Sequence, residues 1–167
     1  NGETGWTRWR AGWGSNEVWS VPNDGPTPPC GKASFNNGVG SFGWFQRITD
    51  VIPGKTYKVF ADWAGNIGDA GWAEVMFFAI ESTASDATII SRIDTGNAAD
   101  ISYKKDSWGM NPPTSWTWQP AADSPHPNGN GGLVTPASGQ ILVVALKLGS
   151  GASGSTWCEW DNIKLVP

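Results

Sequence analysis

The sequence predicts an all-β chain: a β-sandwich or barrel of antiparallel strands with no significant helix. Three observations carry this. Short apolar runs recur along the 167 residues, most bounded by clusters of Gly, Asn, Asp, Ser or Pro, as antiparallel strands are. Gly (22) and Pro (12) make up about a fifth of the chain, too much punctuation for helices. No window keeps an i, i+3, i+4 apolar pattern clear of them for three turns. The length predicts one domain over 1–167, large enough for a hydrophobic core.

Each element follows in order. GWFQRITDVI (43–52) runs into Pro53-Gly54, the i+1 and i+2 residues of a type II turn, and TYKVFADW (56–63) follows as the connected strand. WAEVMFFAI (72–80), ATIISRI (87–93), SWTWQ (115–119), GLVTP (132–136), QILVVALKL (140–148) and TWCEWDNIKLV (156–166) complete the set. The polar stretch from Asp94 to Gly132 is the least regular and reads as loop. Alternation assigns faces. Tyr57, Val59, Ala61 and Trp63 point inward, and Phe60 and Asp62 outward. In 72–80 the small set Ala73, Val75, Phe77 and Ala79 suits a core. Trp72, Glu74, Met76, Phe78 and Ile80 suit a partly exposed, ligand-facing surface. In 140–148 Leu142, Val144, Leu146 and Leu148 look buried, but the opposite face is apolar too.

Charge excludes some partners. The net charge is −4, and the 11 basic residues form no run, so the counterion release that drives nucleic-acid binding has no basis. No stretch approaches the ~18 apolar residues of a membrane span. Cys30 and Cys158 stand far apart with no metal-motif spacing, which leaves two buried thiols or one disulfide as open readings.

Catalytic motifs are scarce. The single histidine, His126, sits between prolines in SPHPNG and reads as surface loop. Glu74 with Asp62 is the one carboxylate pair placed for glycoside chemistry. What the chain does hold is indole: twelve tryptophans, three of them in GWTRWRAGWG (5–14). An indole stacks on the C–H face of a sugar while neighbouring Gln, Glu, Asn and Arg bond its hydroxyls. About half of these tryptophans are expected to fill the core, leaving the rest as a platform.

NGETGW (1–6), CGKASF (30–35), FQRITDVIPGKTYKVFADW (45–63), LVTPASGQILVVALKLG (133–149) and EWDNIKLV (159–166) together resemble the markers of carbohydrate-binding modules. The resemblance is to the β-jelly-roll group of families 4, 16 and 22, closest to family 16. It implies a β-sandwich (jelly roll) of two antiparallel sheets and a non-catalytic, monomeric module of a secreted enzyme, binding a β-linked polysaccharide such as cellulose, β-glucan, mannan or glucomannan. The glycan would lie in an aromatic-lined groove, and the module would bring an attached glycoside hydrolase to its substrate. The residues placed in that groove are Trp19, Trp72, Glu74, Trp118, Gln119 and Gln46. Trp6 is expected to pack inside, with Trp9 and Trp13 leading towards the binding edge. The resemblance also implies a structural calcium held by Glu3, the Lys32 carbonyl and Asp161, although Gly2 stands where the family carries an aromatic. Two alternatives stay open: a jelly-roll glycosidase or lyase using Glu74 and Asp62, and an adhesion or structural sandwich from a cell surface.

Overall fold

The computed structural model describes residues 4–27, 29–68, 70–96, 103–106, 117–120 and 133–167, the main chain alone at 103–106 and 117–120. The described residues form ten strands and one helix: β1 (Thr7–Arg10), β2 (Ser15–Ser20), β3 (Gly31–Ile48), β4 (Tyr57–Asn66), β5 (Gly71–Glu81), α1 (Asp86–Thr95), β6 (Tyr103–Asp106), β7 (Thr117–Pro120), β8 (Leu133–Val134), β9 (Gln140–Ser150) and β10 (Ser155–Val166). Every pairing among them is antiparallel.

The long β3 belongs to two sheets. Its first half lies between β2 and β10, with Lys32 opposite both Ser20 and Glu159. Its second half lies between β1 and β9, with Trp44 opposite Arg8 and Leu146. The crossing falls near Asn37, whose φ of 54° bends the strand. One sheet therefore runs β1-β3-β9-β5-β6, and the other β2-β3-β10-β4, with β7 and β8 on the far side of β4. Between them lies a core of Ala33, Phe35, Phe42, Trp44, Ala61, Trp63, Val75, Leu148, Cys158 and Trp160. Tyr57, Val59, Ala61 and Trp63 are all buried, as alternation requires.

The turn at Pro53-Gly54 forms as the sequence predicts. Lys55 N–H donates to the Ile52 carbonyl, and Gly54 takes the positive φ, 80°, of a type II turn. It does not close a hairpin, because β3 and β4 lie apart with β10 between them.

Residues 87–93, expected as a strand, are helical. Ser85 caps the N-terminus by accepting from Thr88 N–H, Asp86 lies in the first turn, and Gly96 closes the other end at φ 55°. At ten residues, α1 is too short to show three apolar turns. Its decisive pair is Ile89 and Ile93, one turn apart and both fully buried. They pack on Met76, Phe78, Ile141, Val143, Ala145 and Phe45, the outer face of the β5–β9–β3 sheet. This explains why both faces of β9 are apolar: one meets the opposite sheet and the other meets α1.

Candidate functional site

Trp72 and Glu74 stand on the outer face of β5, as alternation places them, but α1 covers that face. Glu74 is 4% exposed. Its Oε2 lies 3.3 Å from Lys147 Nζ, which donates in turn to the carbonyls of Ile93 and Asp94 at the end of α1. The expected ligand-facing carboxylate is thus tied into the attachment of the helix. Trp72 is half-buried, with its indole against Gly149, the residue opposite it on β9. A Cβ there would lie 2.1 Å from the ring, so Gly149 is what lets the indole lie flat.

The other expected groove residues do not converge on this face. Trp19 is half-buried and faces the core side of β2, edge-on to Phe42, with its Nε1 donating to the Gly43 carbonyl. The Arg8 guanidinium lies 5.8 Å from its ring. It closes an edge of the sandwich. Gln46 is half-buried, its amide beneath Gly5. Trp118 and Gln119 occupy β7 register positions opposite Asp62 and Ala61, on the other sheet from Trp72. Their side chains, and Trp116 and His126, lie outside the described residues. In the opening stretch Trp9 is 3% exposed and packs under α1, while Trp13 is 53% exposed.

Glu74 and Asp62 cannot act as a catalytic pair. Asp62 faces outward from the β10–β4 sheet and accepts from the Asn162 amide, whereas Glu74 faces outward from the other sheet. Packed sheets lie ~10 Å apart and these groups point away from each other, beyond the ~5–9.5 Å of glycosidase carboxylates.

The expected calcium donors divide. Glu3 lies outside the described residues. Asp161 is 8% exposed and accepts from two main-chain donors, Thr27 N–H at 2.6 Å and Asn162 N–H at 2.7 Å. Lys32 lies in β3 with β2 on one side and β10 on the other, its ammonium 2.7 Å from Glu159, and a carbonyl oxygen held in a strand ladder keeps a second lone pair that a metal could take. Among the described residues the potential metal ligands that cluster are Asp24, Cys30 and Glu159, without Asp161. Burial, then a hydrogen bond to Asp24 and nearby carboxylates, push the Cys30 thiol far up, so without a metal it stays a neutral thiol.

Cys30 and Cys158 are two separate buried thiols. Adjacent strand residues face opposite ways, so Cys158 is in the core while Glu159, beside the Cys30 sulfur, is across the sheet from it.

One concavity was not anticipated. A cleft of about 160 Å³ is lined by Trp6, Trp44 and Trp160 together with Pro29, Gly31, Leu146, Asp161, Asn162 and Ile163. Trp44 and Trp160 meet edge to face, with ring centroids 6.2 Å apart. Asn162 sits at φ 48° in an irregularity of the β10–β4 ladder, between Asp161 and Lys164. The sequence signal was there in part: Asp161-Asn162 interrupts an apolar strand directly after Trp160.

No protein-family model matches the chain, and no curated protein matches it in sequence. Solved structures do match in fold. One, from a study of the promiscuous specificity of carbohydrate-binding modules of the β-sandwich superfamily, aligns over 98% of this chain at 13% identity and TM-score 0.55. This chain spans 57% of that one. A CBM4 structure aligns over 98% at 8% identity and TM-score 0.50, covering 95% of that chain. TmCBM61 in complex with beta-1,4-galactotriose aligns over 98% at 11% identity and TM-score 0.51, covering 92% of that chain. The protein therefore has the antiparallel β-sandwich fold found in carbohydrate-binding modules.

Proposed function

We propose that the protein is a non-catalytic carbohydrate-binding module for neutral β-linked polysaccharide, of the cellulose, β-glucan, mannan or glucomannan type. The observation that carries the reading is the incomplete burial of its indoles on this fold. Trp6, Trp19, Trp72 and Trp157 are half-buried and Trp13 is exposed, beside Trp9, Trp44, Trp63 and Trp160 in the interior. Partly exposed, rigid indoles with carboxylate, amide and ammonium neighbours are what a sugar's apolar face and hydroxyl rim require. Catalysis is disfavoured by the placement of Glu74 and Asp62 on opposite outer faces. In this reading the module is secreted and raises the effective concentration of an attached glycoside hydrolase on its substrate.

A calcium ion also belongs to the reading, held by Asp161 with Glu3 and the Lys32 carbonyl, since calcium takes 6–8 hard oxygen ligands in loose geometry. The direct test is electrophoresis through gels containing glucomannan, xylan, mannan or β-glucan. Retardation by at least one is expected. Free migration through all four, with the protein folded, would leave the structural or adhesion alternative standing.

A further inference from the structure

Resting on that reading, we infer that the glycan lies on the outer face of the β2–β3–β10–β4 sheet, running across the strands, with Trp157 as the ring on which a neutral pyranose stacks.

Placement is the first argument. The outer face of the β5–β9–β3 sheet is filled by α1, whose Ile89 and Ile93 are fully buried against it. The outer face of the other sheet instead carries a row of four residues, one from each strand. Register sets Val18 of β2 beside Ser34 of β3, Ser34 beside Trp157 of β10, and Trp157 beside Asn66 of β4. Their chain neighbours Trp19, Ala33, Phe35, Cys158 and Ile67 pack in the core, so alternation turns the row outward. Val18 and Asn66 are exposed at its ends, and Ser34 and Trp157 are half-buried between them. Strands about 4.8 Å apart make the row about 14 Å long, which suits a segment of chain rather than one ring.

Chemistry is the second. Beside the row, Asn36 of β3 and Ser155 of β10 form an exposed pair on the same face. Trp157 is thus an indole among hydroxyls and amides, which both donate and accept as sugar hydroxyls do. One indole and one valine are too little apolar surface for the core of a protein interface. The other half-buried indoles lack this setting: Trp72 lies flat on Gly149, and Trp19 is turned to the core side of β2.

Order is the third. The Lys32 ammonium lies 4.5 Å from the centroid of the Trp157 ring and 2.7 Å from the Glu159 carboxylate. The cation–π contact steadies the indole before a ligand arrives, which lowers the entropy lost on binding. The ion pair cancels its own charge, so the surroundings of Trp157 favour a neutral ligand.

The test is electrophoresis through whichever polysaccharide gel retards the wild type, with calorimetric titration of β-1,4-linked oligomers from two to six residues. Trp157→Ala should weaken binding at least tenfold and Asn66→Ala about threefold or more. Trp72→Ala and Ile52→Ala should bind as wild type, and wild-type affinity should rise at least tenfold from two residues to six. If Trp157→Ala fails to fold by circular dichroism, Asn66→Ala decides. Binding unchanged in Trp157→Ala, or lost in Trp72→Ala, overturns this placement but leaves carbohydrate binding intact. Affinity independent of length overturns the row in the same way. A wild type that no gel retards and no oligomer binds overturns the placement and the carbohydrate reading together.

Discussion

Lys147 and Glu74 form a buried ion pair, 3.3 Å apart with about 5% of each side chain exposed, beneath the last turn of α1. The same ammonium donates to the Ile93 and Asp94 carbonyls, where the helix dipole is negative. One cation thus neutralises a carboxylate and closes a helix end. Replacing Lys147 with Met removes that charge from beside a buried carboxylate and should cost about 3–5 kcal/mol. The double variant Lys147→Met/Glu74→Leu should recover part of the loss. Urea denaturation of the three proteins checks it, and a double variant no better than the single would contradict the pairing.

The N-terminal end of α1 is open to a milder test. Ser85→Ala removes the cap bond to Thr88 and should cost about 1 kcal/mol. Ile93→Ala, in the packed layer under the helix, should cost about 2–5 kcal/mol. Polysaccharide retardation by Ser85→Ala should equal wild type, because the helix fills this sheet face rather than lining a binding surface.

How much of this was legible depends on range. The strands at 57–66, 71–81, 140–150 and 155–166 follow from local alternation and bounding turns, and the inward set Tyr57, Val59, Ala61 and Trp63 follows from parity. The helix was hidden because Thr88, Ile89, Ile90 and Ile93 have the composition of a strand, and only the cap residues Ser85 and Gly96 say otherwise. The site was harder. Alternation correctly put Trp72 and Glu74 on the face away from the core, but it cannot show that a later helix returns to cover them. The cleft joins Trp6, Trp44 and Trp160 from the N-terminal segment, β3 and β10, a meeting no spacing rule contains.

Gly149 offers a sharp steric prediction. Ala there places a Cβ 2.1 Å from Trp72 Cε2 and 2.2 Å from Cζ2, so the indole must leave β9. The ring would also leave the Lys147 ammonium, now 6.0 Å from its centroid. A red shift of fluorescence and destabilisation of about 1–3 kcal/mol are expected from Gly149→Ala. An unchanged spectrum and melting curve would show that the ring does not rest on this glycine.

The two thiols give a pH dependence. Burial raises both Cys30 and Cys158 above the ordinary value of 9.0 in the folded protein, and Cys158 is in the core. The unfolded chain loses these protons near pH 9 while the folded chain keeps them. Stability is therefore fully present below that pH and falls as pH rises past it. Relative to wild type, Cys158→Ala should show a flatter decline above pH 9. In native buffer at pH 8 both thiols should react with an alkylating reagent far more slowly than after denaturation. Rapid native alkylation of Cys158 would contradict its burial.

Asp161 separates two roles that predict different chelator responses. As a main-chain anchor, its carboxylate holds Thr27 N–H and Asn162 N–H and so fixes the loop after β2 against β10. Asp161→Asn keeps an acceptor oxygen but weakens charge-assisted bonds worth about 1.5–3 kcal/mol, so it should lower the melting temperature with or without metal. As a calcium ligand, Asp161 adds a further term: chelator should lower the melting temperature of wild type, added calcium should restore it, and Asp161→Asn should respond to neither. Wild type that melts identically with chelator and with calcium would confine Asp161 to the anchoring role.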